Sequence, residues 1–208
     1  MAGGAAVCPA AQTLDRVVAS IGHVAITASD VEQAYRFERF LDAEWPPPPP
    51  DSATLANARE RLTYQMLLIR EENPGPSEKA ESEKAAAERL ATLRKEFAHP
   101  EDFQRALKEL GMTETEVAAR IAEQELMLRL IDQRLRPAAS PSDSEVADYY
   151  RSTFVPEFQK KNGGAAAPPL PEVEGQIREV LIQKRINELL DQWIEELKPA
   201  TSVRFHSF

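Results

Sequence analysis

The sequence predicts a mainly α protein with a small β patch built from an N-terminal hairpin and a C-terminal strand. Three observations carry this. Gly is scarce (8) and Pro plentiful (16) in 208 residues, and the prolines cluster. Long stretches rich in Ala, Glu, Leu, Arg and Lys, all strong helix formers, lie between the clusters. Proline opens or ends helices, so the clusters punctuate the chain. Short β-branched runs lie near both ends.

The first such run, Arg16-Val-Val-Ala-Ser-Ile21, is followed by Gly22-His23 and then Val24-Ala-Ile-Thr27. Two β-branched runs around a Gly-X pair predict a tight hairpin. Ser29 and Glu32 have capping-box spacing and start a helix over 29–42. Five prolines at 46–50 stop it and form a stiff spacer. Asp51 caps a second helix over 51–72, with Leu55, Leu62, Met66 and Ile69 on one stripe. Ser77 opens a charged third helix over 77–98, with Ala87, Leu90, Leu93 and Phe97 on its apolar side.

Pro100 suits the first turn of a short fourth helix carrying Phe103, Ala106, Leu107 and Leu110, and Gly111 suits its end. Thr113 and Glu116 form a second box, opening a helix that ends at Pro137. Ser142 and Glu145 form a third, ahead of Val146, Tyr149 and Tyr150. Residues 155–170 are rich in Lys, Gly, Ala and Pro and read as a loop. Pro171 begins the longest helix, over 171–198, and Pro199 ends it. The tail from Ser202 alternates weakly and predicts a strand on the hairpin. One domain over 14–208 follows, preceded by a disordered terminus at 1–13.

Composition excludes several classes of function. Charged residues make up 28% and the apolar set 42%, as in a soluble, foldable chain. A net charge of −9 argues against nucleic acid and anionic lipid as partners. No apolar run reaches the roughly 20 residues of a membrane span. The single cysteine, Cys8, forms no disulfide within one chain and reads as a free thiol on a frayed terminus. The segment 1–12 lacks the basic start of a signal peptide. His23, His99 and His206 are far apart, with no ligand-spaced pair. There is no phosphate loop, G-x-S-x-G or H-E-x-x-H, so neither a cofactor nor an enzyme activity is expected.

The positive signal is surplus apolar surface. The first helix carries Tyr35, Phe37 and Phe40, with Trp45 just after, on more than one face. A helix buried along one stripe cannot hide them all. Either neighbouring helices enclose them or they line an exposed groove. Met66 to Ile69 and the run at 126–131 raise the same question. The candidate client-binding residues are therefore Tyr35, Phe37, Phe40, Trp45, Met66 and Leu67.

The run Leu14-Asp-Arg-Val-Val-Ala-Ser-Ile-Gly-His-Val-Ala-Ile-Thr-Ala-Ser-Asp-Val-Glu32 resembles the start of the SurA-type periplasmic chaperones. Pro141-Ser-Asp-Ser-Glu-Val-Ala-Asp-Tyr-Tyr150 resembles that family's exit toward a parvulin-type prolyl isomerase domain, and 177–205 its returning helix and strand. The resemblance implies an ATP-independent periplasmic chaperone that binds unfolded outer-membrane or secreted chains. This sequence departs from the family in one respect: a parvulin domain is far longer than the 153–171 segment, so no isomerase activity is expected. The alternative reading is a helical scaffold or dimerisation module that exchanges its terminal elements between two copies.

Overall fold

The structure is a computed structural model that describes residues 15–208. The expectations for 1–13 and for Cys8 lie outside the described residues. Strands β1 (Val17–Ile21) and β2 (Val24–Thr27) form the predicted hairpin, with Gly22 at φ +57° in its turn. That conformation suits glycine, which has no Cβ to clash. Strand β3 (Val203–Phe205) pairs antiparallel with β1 in the same chain, giving the sheet order β2-β1-β3.

Helix α1 (Ala28–Leu41) has its N-cap two residues before the expected one. Thr27 is its N-cap and Asp30 closes the reciprocal bond, so Thr27 and Asp30 replace Ser29 and Glu32. Ser29 instead donates its N–H to Asp15 at 3.3 Å, tying the start of the hairpin to the start of the helix. Hydrogen bonds from Thr27 and Ser29 hold the Asp15 carboxyl below the usual carboxylate range.

Helices α2 (Ser52–Glu72), α3 (Pro76–Glu96), α4 (Pro100–Leu110) and α5 (Glu114–Leu135) follow. Asp51 caps α2, Gly111 ends α4 in the left-handed region, and Thr113–Glu116 is a capping box. Helix α3 begins at Pro76 rather than Ser77, because proline is tolerated in a first turn whose N–H has no helical partner. The proline run at 46–50 has no regular secondary structure, and the buried Tyr35 hydroxyl donates to the Pro48 carbonyl at 2.8 Å.

A 3-10 turn (Arg136–Ala138) leads to α6 (Asp143–Tyr149), capped by Ser142 and Glu145 as expected. The expected loop at 155–170 is half helix. A π-helical turn (Tyr150–Phe154) runs into α7 (Val155–Lys161), and only 162–169 is irregular. Tyr150, Phe154 and Phe158 are four residues apart and stack, with centroids 5.8 and 5.9 Å apart. That i, i+4 aromatic ladder stabilises helix where the Gly- and Pro-rich composition argued against it. Helix α8 (Leu170–Ala200) passes through Pro199 instead of stopping there.

Three apolar clusters result. The sheet, Val31 and Tyr35 of α1, α2, the C-terminal half of α5 and the C-terminal half of α8 build the first. Phe37 and Phe40 of α1, α3, α4 and the N-terminal half of α5 build the second. Val146, Val173 and Ile177 hold α6 on the N-terminal half of α8 in the third. Phe40 has no exposed surface and touches Trp45, Phe97 and Phe103.

Phe40→Ala is expected to cost about 3–5 kcal/mol, from lost transfer energy and a residual cavity. A urea midpoint unchanged from the parent protein would refute this account of the second cluster. Ser142→Ala removes the α6 cap and is expected to cost about 1 kcal/mol at neutral pH. Glu145 accepts the Ser142 N–H and hydroxyl and the Arg185 guanidinium, which bring its pKa to about 2. A depressed carboxyl pKa stabilises the fold above the unfolded value and loses that effect as pH falls through the folded one. The gap between wild type and Ser142→Ala should therefore narrow from about pH 4.5 down to about 2, with the Glu145 midpoint raised in the variant by NMR titration.

Candidate functional site: a cleft between the hairpin and three helices

A cleft of about 590 Å³ opens between β2, α1, α2 and α5. Ile26, Ala34, Phe37, Leu62, Met66 and Ile69 give it an apolar lining, and charged side chains form its rim. Its position follows from the sequence. Ala34 is a small residue between the large Tyr35 and Phe37 on α1, and it leaves space at the helix surface. The expected α2 stripe is only half-buried: Leu55, Leu62 and Met66 pack against the edge of the first cluster. Ala58, Thr63, Leu67 and Leu68 are the buried residues of α2, while Leu62, Met66 and Ile69 look into the cleft.

Of the six candidate residues, the cleft brings together Phe37 and Met66. Tyr35, Phe40 and Leu67 are sealed in the interior, so the expectation that they line an open groove is corrected. The reason is that α1 lies between two apolar clusters and buries aromatic side chains on both sides. Phe37 itself is only 2% exposed and forms part of the floor, packed into the second cluster. Trp45 lies elsewhere, in a more polar depression beside α4, where its indole N–H donates to Glu109 at 2.7 Å.

The run on α5 also resolves. Leu126, Leu130 and Ile131 are buried, Met127 is half-buried, and Leu128 is 56% exposed. Sequence reasoning missed Ile26, Ala34 and the α5 residues of the rim. Ile26 reads as an ordinary strand residue and Ala34 carries no chemical signature. Their role emerges only when β2 is placed against α1.

The rim is charged. Asp30 accepts from Thr27 N–H and hydroxyl, both at 2.8 Å, and Glu38 is ion-paired with Arg61. Arg120 lies over the Phe37 ring, its guanidinium carbon 5.3 Å from the centroid. Arg70, Glu123 and Gln124 complete the edge. Among the described residues no group of three or more His, Cys, Asp or Glu is arranged to hold a metal ion. No helix among them is long and apolar enough to cross a membrane. The arrangement offers non-covalent binding: a concave apolar floor with charges at the edge.

No protein-family model matches the chain, and no curated protein or solved structure matches it. Ala34→Trp places an indole on the cleft lining and leaves the three clusters intact. The variant should lose most of the fluorescence enhancement of an apolar dye such as ANS, with an unchanged helical circular dichroism spectrum. An equal enhancement in both proteins would show that the cleft is not the accessible apolar surface.

Proposed function

We propose that this chain is an ATP-independent chaperone of the periplasm that holds unfolded outer-membrane or secreted polypeptides in the cleft. The observation that supports it best is the cleft itself, where Leu62, Met66 and Ile69 of one helix stripe are left half-buried on its lining. A folded monomer gains nothing by leaving such a stripe open, whereas a binding site needs it. Methionine adds an adaptable, polarisable surface that suits varied client side chains.

Burying one client side chain contributes roughly 1.5–3 kcal/mol, which permits release without nucleotide hydrolysis. The net charge of −9 keeps a loaded complex soluble by mutual repulsion. The likeness of 14–32 and 141–150 to SurA-type chaperones points the same way. The segment between α6 and α8 holds a π turn, α7 and a short loop, so the proposal includes no prolyl isomerisation.

The test is dilution of a chemically denatured reporter protein into buffer containing this chain. Light scattering should fall at near-equimolar ratio, and Ala34→Trp and Met66→Glu should each weaken the protection. Undiminished aggregation in the presence of a folded, monodisperse sample would refute the chaperone reading.

A further inference from the structure

The third apolar cluster stands apart from the other two. Its buried members are Val146 of α6 and Val173 and Ile177 of α8, with Tyr149, Phe154 and Leu181 half-buried around them. Among the described residues it shares no side chain with the clusters that hold the rest of the molecule. Helix α7 packs on the π-helical turn before it, and α6 packs on that turn and on α8. The run from α6 through α7 is thus a strap laid over the N-terminal half of α8. Helix α8 itself is fixed elsewhere, because Ile186, Trp193, Ile194 and Leu197 enter the cluster beneath the sheet.

The polar ties across this seam are open to solvent. Arg178 pairs with Asp143, whose side chain is 93% exposed, and donates to the Pro141 carbonyl at 3.2 Å. Arg185 donates to Glu145 at 2.8 Å, with both side chains part-exposed. Exposed pairs contribute little, so the strap is held mainly by a few apolar contacts. Both of its ends have room to turn. Ala139 is sealed in the first cluster, and Ser140 just after it is exposed. At the other end, the irregular residues 162–169 include Gly163 and Gly164 at φ +63° and +88°.

We infer that segment 143–161 is a strap that lifts from α8 as one unit while the rest of the molecule stays folded, uncovering an apolar face of α8 centred on Val173 and Ile177. Units with few buried contacts open before the core does. Free of α8, the strap is a broken run of seven, five and seven residues, too short in its parts to stay helical, so its amides report the lifting. No lining residue of the cleft belongs to the strap or to the third cluster. The device therefore goes beyond the chaperone reading and stands or falls without it.

Native-state hydrogen exchange read by mass spectrometry, on the full chain in urea too dilute to unfold it, tests this. Amides of 146–161 should exchange at least about tenfold faster than those of α5. Val146→Ala removes apolar contact from the seam alone and should speed exchange in the strap roughly tenfold further, with α5 unchanged. Thiol reactivity gives a second readout. In a Cys8→Ser background, Ile177→Cys and Ile121→Cys place a thiol at two sites that are each 2% exposed. The thiol at 177 should react roughly a hundredfold faster than the one at 121.

Equal exchange in the strap and in α5 would overturn the inference. So would a Val146→Ala effect that is absent or that spreads equally to α5, and so would equal reactivity of the two thiols. Should either cysteine variant fail to fold, exchange on the wild-type chain decides the question.

Discussion

The architecture depends on α1 being buried along two sides at once. Val31 and Tyr35 commit one side to the cluster beneath the sheet, and Phe37 and Phe40 commit another to the helical cluster of α3, α4 and α5. A surface helix buries one stripe and leaves a polar face; a helix enclosed by two cores does not. The aromatic ring system around Phe40 fixes α1 in rotation, because Trp45, Phe97 and Phe103 all meet it. With the rotation fixed, Ala34 points where the neighbouring helices leave a gap. The cleft is therefore a by-product of how α1 is clamped.

Helix α5 is the second strut. Val117 and Ile121 enter the helical cluster, and Ile131 and Leu135 enter the cluster beneath the sheet. Its rim residues Arg120, Glu123 and Gln124, beside and just after Ile121, border the cleft. The two clusters thus share two helices, and the cleft lies where both cross from one to the other. Charged contacts orient this frame without contributing much to its stability. Arg134–Glu72 and Arg94–Glu114 link separate helices, yet both arginines and Glu114 are open to solvent, and such pairs are worth little in water.

Helix boundaries were largely legible in the sequence, because caps and prolines act locally. Asp51, Thr113, Ser142 and Gly111 each stand where the pattern placed them. The errors also have local causes. Thr27 outcompeted Ser29 because the strand delivers Thr27 in extended geometry with Asp30 three residues on. The stack of Tyr150, Phe154 and Phe158 held a helix that composition disfavoured. The site was much less legible. Periodicity found the stripe of Leu62, Met66 and Ile69 but assigned it no destination, and it could not separate Phe37 from Phe40 three residues later. That distinction depends on tertiary neighbours, which no window of sequence contains.

The sheet that borders the cleft joins the first and last described elements of the chain. Ala19 faces Phe205 and Ile21 faces Val203. Contacts so distant along the polymer carry a larger loop-closure penalty than those between consecutive helices. The α3–α5 body can be assembled from neighbours, while the third strand must be brought back across nearly the whole polypeptide. Shortening or extending the backbone near Phe205 would thus strain the wall of the cavity before it disturbed the helical interior.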